Sequence, residues 1–146
     1  EYLILRGNHI HYIAETAFLM TLSPNQLATK RNSLIHLDLS LNDLDRLNDN
    51  VFEASTRKKN LLLFNNSLSN ISGSHFRDLT SLQVLDLYGN KLEKINFDSF
   101  KRNQQLRMLN IGCNVLNTPH WPRFPMRNLI LGSFFSHTTV WETAFY

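Results

Sequence analysis

Cysteine is nearly absent from this chain: Cys113 stands alone among 146 residues, which excludes a disulfide framework within them. Long hydrophobic runs are missing too. Leu61-Leu62-Leu63-Phe64 is typical of the longest, far short of the roughly 18 residues a membrane helix needs. The opening residues, Glu1-Tyr2-Leu3-Ile4, lack an initiator Met and a basic stretch, so no signal peptide is expected there. The chain reads as a piece cut at both ends. Charge of one sign is also scarce: the formal net charge of +3 points to nucleic acid only if the bases gather on one face. A hydrophobic fraction of 42% excludes intrinsic disorder, and the length suits one domain.

What is present is a repeat. Asn8, Asn42, Asn66, Asn90 and Asn114 recur in one phase, with one long first interval and then three equal ones. Leu34-x-x-Leu37-x-Leu39-x-x-Asn42-x-Leu44 returns around Asn90 from Leu82 to Leu92, and around Asn114 from Leu106 to Leu116. Partial copies surround Asn66 (Leu61, Leu63, Leu68) and Asn8 (Leu3, Leu5, Ile10). Ten residues after each Asn comes a Phe: Phe18, Phe52, Phe76, Phe100 and Phe124.

These residues resemble leucine-rich repeats of the extracellular 24-residue class, as found in Toll and Toll-like receptor ectodomains, matrix proteoglycans and adhesion receptors. The resemblance implies an α/β solenoid: a horseshoe with a parallel concave β-sheet and a mostly irregular convex side. It also implies disulfide caps lying outside these residues, an extracellular or cell-surface location, and non-catalytic recognition of a protein ligand or co-receptor, with homo- or heterodimerisation.

The residues lead to the same fold by themselves. Leu-x-Leu alternation is a short strand with one buried face. Successive copies are too distant for hairpins, so the strands should stack in parallel, each coil burying its apolar face on the next. A buried Asn after the strand can donate and accept at once, satisfying backbone groups that would each cost about 1–3 kcal/mol unpaired. The Phe residues should form a second column toward the convex side. On this reading both series are core. One solenoid of five to six repeats is expected over 1–146, with an insertion near 21–33 and an irregular last repeat over 117–146. Met126-x-x-Leu129-x-Leu131 is the expected last strand, so that Met126, Leu129 and Leu131 take the places of Leu106, Leu109 and Ile111 after a shortened coil. Lys58 falls where the pattern expects Leu, and should lay its stem on the core with its ammonium lifted out.

Residues between the strand aliphatics should face the concave side in three columns. The first runs Tyr2, His36, Asn60, Val84, Met108, Asn128; the second Ile4, Asp38, Leu62, Asp86, Asn110, Ile130; the third Arg6, Ser40, Phe64, Tyr88, Gly112, Gly132. Leu62, Phe64, Val84, Tyr88 and Met108, with Asp86 and Asn110 beside them, form the expected ligand-binding face, because contiguous exposed apolar surface marks contact sites. Cover by another part of the full protein is the alternative for this patch.

No catalytic residue is expected, no cofactor, and no metal. His9 and His11 lack an evident third ligand. Cys113 reads as a small buried or half-buried filler. Basic residues lie mostly outside the columns, so nucleic acid is not the expected partner. Asn65-Asn66-Ser67 and Asn70-Ile71-Ser72 are glycosylation sequons. An adhesion or matrix protein is the alternative function, and an intracellular scaffold or regulatory subunit a further one.

Overall fold

The computed structural model describes residues 1–18, 34–53, 55–117 and the strand at 130–131. The whole of the expected insertion near 21–33, Phe124 of the Phe series, and nearly all of the irregular last repeat lie outside those residues. Six short strands follow in chain order: β1 (Tyr2–Ile4), β2 (His36–Asp38), β3 (Asn60–Leu62), β4 (Val84–Asp86), β5 (Met108–Asn110) and β6 (Ile130–Leu131). They pair in that order as one parallel sheet. Each strand is only two or three residues long because the chain turns inward at once. The residue before each Asn of the series adopts the left-handed conformation: Gly7, Leu41, Asn65, Gly89 and Cys113, with φ between 50° and 70°.

The Asn residues make that turn stable. Asn90 Nδ2 donates to the carbonyls of Leu63 and Leu87, both at 3.0 Å, and its Oδ1 accepts from Leu68 N at 3.0 Å. Asn66 repeats this with Leu39 O, Leu63 O and Leu44 N, and Asn114 with Leu87 O, Ile111 O and Leu92 N. Asn42 bridges its coil to the first through Leu5 O and Ile10 N. One side chain thus serves three backbone groups in two coils, which no aliphatic of similar size can do. Asn8, expected in the core with the rest of the series, is instead exposed, because no earlier coil covers it, and among the described residues its side chain bonds only within its own turn, to Leu5 O and Arg6 O.

Behind the sheet, Leu37, Leu61, Leu85 and Leu109 form a fully buried column, continued inward by Leu39, Leu63, Leu87 and Ile111. Phe18, Phe52, Phe76 and Phe100 stack in sequence, with ring centroids 5.8, 6.5 and 5.6 Å apart. Among the described residues the convex side holds one four-residue helix, α1 (Gly73–Phe76), a 3-10 turn at Phe97–Phe100, and irregular backbone.

Three expectations need correction. The last strand pairs Met108 with Ile130 and Leu109 with Leu131, so Leu131 rather than Leu129 takes the place of Leu109, and Ile130 belongs to the first column and not the second. Leu129 and Leu131 satisfy the leucine pattern equally, because a two-residue slip leaves the alternation of a strand unchanged. Cys113 is exposed, since a residue in the left-handed turn cannot point into the core it leaves. Lys58 does not lift its amine out. The whole side chain is buried at 0% exposure, and Nζ stands 4.7 Å from the Phe18 ring centroid and 5.0 Å from that of Phe52. Its position is the one that Leu82 and Leu106 occupy in later coils, deep between the two Phe rings, and a four-carbon stem does not reach solvent from there.

Candidate binding face of the sheet

The strand register builds the face directly. Tyr2, His36, Asn60, Val84 and Met108 align across five strands, and so do Ile4, Asp38, Leu62, Asp86 and Asn110. Backbone bonds just past the strands carry the third column: Leu41 N to Phe64 O, Asn65 N to Tyr88 O, and Gly89 N to Gly112 O. Of the residues expected to bind, Tyr88 and Met108 are exposed, at 36% and 38%. Leu62, Phe64, Val84, Asp86 and Asn110 are half-buried.

The polar members of the second column serve the backbone first. Asp38 Oδ1 accepts from Ser40 N at 2.9 Å and from Ser40 Oγ at 2.5 Å. Asp86 Oδ1 accepts from Tyr88 N at 3.0 Å, and Asn110 Oδ1 from Gly112 N at 3.3 Å. Leu62 cannot cap the next turn in this way, so its coil presents apolar surface where these others present a carboxylate or amide. Tyr88 and Cys113 meet across one coil, Sγ to Oη at 3.0 Å. That hydrogen bond raises the Tyr88 hydroxyl above its ordinary pKa.

Two features escape sequence reasoning. Arg6 reaches past the second coil to place its guanidinium 5.1 Å from the Phe64 ring centroid. Ser40, small and fully buried between them, makes that reach possible, and a small residue between two large ones in a column is the available signal. The first strand is also the most exposed, with Tyr2 at 74% and Ile4 at 66%, and Tyr2 tilts over His36 at 5.5 Å.

On the flank beyond the sheet, His9 Nδ1 lies 3.0 Å and His11 Nε2 4.0 Å from Asp43 Oδ2. Among the described residues no cluster of three or more His, Cys, Asp or Glu is arranged to hold a metal ion. Both sequon asparagines are exposed. Asn65 lies in the left-handed turn with its side chain across Gly89, so close that a Cβ at Gly89 would collide with Asn65 Oδ1. Asn70 lies on the flank between Leu68 and Ile71.

Residues 56–116 match the family described as leucine rich repeat. These coils are leucine-rich repeats. No curated protein matches the sequence. Among solved structures, the leucine-rich repeat domain of APL1B is similar at 25% identity and a TM-score of 0.69, over 81% of this chain and 33% of that one. The APL1 leucine-rich repeat domain is similar at 26% identity and 0.61, over 81% and 34%. The protein chain of the TLR13–ssRNA13 complex is similar at 29% and 0.62, over 77% and 15%. The chain therefore spans about a third or less of the structures it resembles. The solenoid resembles part of a Toll-like ectodomain, and leucine-rich repeats are typically non-catalytic modules of protein recognition.

Proposed function

We propose that this leucine-rich repeat solenoid belongs to an extracellular receptor of the Toll-like, immune-recognition type and binds a protein ligand or co-receptor on the open face of its sheet. The observation that carries this reading is the run of Leu62, Phe64, Val84, Tyr88 and Met108 across three neighbouring coils. Its aromatic side chains are held by their neighbours and so lose little entropy on binding. The likeness to TLR13 and to APL1B supports the receptor class.

The TLR13 structure holds single-stranded RNA, yet among its described residues this face offers only Arg6 as a permanent cation, and it also carries Asp38 and Asp86. A protein is the better fit. Phe64→Ser and Tyr88→Ala should each weaken partner binding by about tenfold or more while the melting temperature stays nearly constant. Loss of folding instead of binding refutes the assignment. A single-stranded RNA oligonucleotide bound at physiological salt, with affinity falling steeply as salt rises, would replace it by the RNA reading.

A further inference from the structure

The flank between the second and third coils carries a cavity of about 580 Å³ that neither the sheet face nor the core uses. Arg46, Leu47 and Asp49 line it from one coil, and Asn70, Ser72 and His75 from the next. Its walls are prepared by the local fold. Ser72 N donates to His75 Nδ1 at 3.2 Å, which leaves the proton of the neutral ring on Nε2, 3.6 Å from Asp49 Oδ1. Burial lowers the His75 pKa, opposed by Asp49 and by a backbone hydrogen bond to Leu47, and so favours that neutral ring. Ser74 Oγ bonds to Asp49, and Ser72 Oγ to Ser74 Oγ at 2.6 Å.

The lining suits one ligand chemistry. The Asp49 carboxylate disfavours an anion such as phosphate, and no metal-holding cluster exists among the described residues. The guanidinium, hydroxyls, carboxylate and side-chain amide together donate and accept, as a neutral polyhydroxyl ligand requires. Leu47 and the Arg46 stem add an apolar contact for a methyl group. Asn70, on the wall of this cavity, heads a sequon whose hydroxyl residue, Ser72, is on the wall as well.

We propose that Asn70, and not Asn65, is the glycosylated residue of this chain, and that the first N-acetylglucosamine of its glycan lies in the flank cavity. The inference rests on the secretory part of the reading above. The two sequons differ in what surrounds them. Asn65 lies at the rim of the sheet with its Oδ1 close against Gly89, whereas Asn70 lies on the wall of a polar cavity already open. The seated sugar also gives the flank a fixed role: it blocks close approach of another chain there and leaves the sheet face clear.

Both asparagines fall on one tryptic peptide, Asn60–Arg77, so a single experiment separates them. The full protein is secreted from eukaryotic cells, and the glycan is removed from the tryptic peptide with a peptide N-glycosidase in ¹⁸O-water, which converts each glycosylated Asn to ¹⁸O-labelled Asp. The label is expected at position 70. Protein trimmed by an endoglycosidase to a single N-acetylglucosamine should then show amide exchange at residues 46–49 and 69–75 about threefold or more slower than the Asn70→Gln variant. A label at Asn65 alone, or equal exchange rates in the two proteins, overturns the proposal. A bare peptide from protein recovered in the medium overturns it while leaving the receptor reading intact. Bare protein retained in the cytosol overturns both.

Discussion

On the sheet side of the solenoid, Asn66, Asn90 and Asn114 each satisfy three backbone groups. On the opposite side, between β2 and β3, Asn50 Oδ1, Ser55 Oγ and Lys58 Nζ are buried with no hydrogen-bond partner among the described residues. The solenoid is thus well satisfied at one edge and frustrated at the other. The difference is geometric. The inward turn recurs with a left-handed residue at the same position, so from Asn42 onward one amide meets two equivalent carbonyls and one equivalent N–H. The convex segments differ in path from coil to coil, through turns at 49–53, α1 and the 3-10 turn. A polar residue there finds partners only by its own local arrangement. Asn103 shows a partial outcome: its Nδ2 donates to Phe76 O and Leu79 O, both at 2.9 Å, while its Oδ1 is buried with no hydrogen-bond partner among the described residues. Ser55, which follows Asn42 at the same distance along the chain as Asn103 follows Asn90, has no side-chain bond.

The largest expected effect breaks the satisfied edge. Asn90→Leu keeps the volume but strands Leu63 O, Leu87 O and Leu68 N, and should destabilise the fold by about 3–6 kcal/mol in denaturant unfolding. A loss below about 1 kcal/mol would show that water replaces the amide.

Next in size is relief at the frustrated edge. Lys58→Leu restores the residue that the pattern expects and should stabilise the protein by several kcal/mol (roughly 3–5). Burial lowers the Lys58 pKa from 10.5 to about 7. Between those values the unfolded chain holds a proton that the folded one does not. The wild-type protein should therefore gain stability as pH rises from about 7 to 10.5, by on the order of 5 kcal/mol in full, and the Lys58 contribution should be flat below about 7. In Lys58→Leu that slope disappears. An unchanged slope would mean that the amine reaches water.

The smallest effect sharpens the contrast. Ser55→Ala removes a buried hydroxyl with no side-chain hydrogen bond and should be neutral, or stabilising by up to about 1 kcal/mol. A clear destabilisation would reveal a partner for Ser55 in solution.

Much of this was legible in the spacing of a few residue types. The Asn and Phe series name the ladder and the spine residue by residue, because each has one chemical task that few other side chains perform. The face of the sheet was legible as register: Val84 beside Met108, and Leu62 beside Asp86, follow from period-two alternation. The step into β6 was not legible, because Leu129 and Leu131 fit it equally. Nor was Arg6 on Phe64, a contact across two coils that depends on how far one long side chain leans over Ser40. Lys58 misled for a related reason. A lysine at a leucine position implies escape to solvent unless the Phe18 and Phe52 rings are already known to close over it.

The sequence by itself determined the solenoid, its 24-residue step and the identity of its core columns, since stacking identical coils lets each residue meet its own kind next door. Only the tertiary structure decided which groups are left over: an amine enclosed between two rings, a guanidinium on Phe64, and a polar cavity at Asn70. Those outcomes depend on distances between coils whose convex paths differ. A repeat pattern, which records what the coils share, carries no information about where they differ.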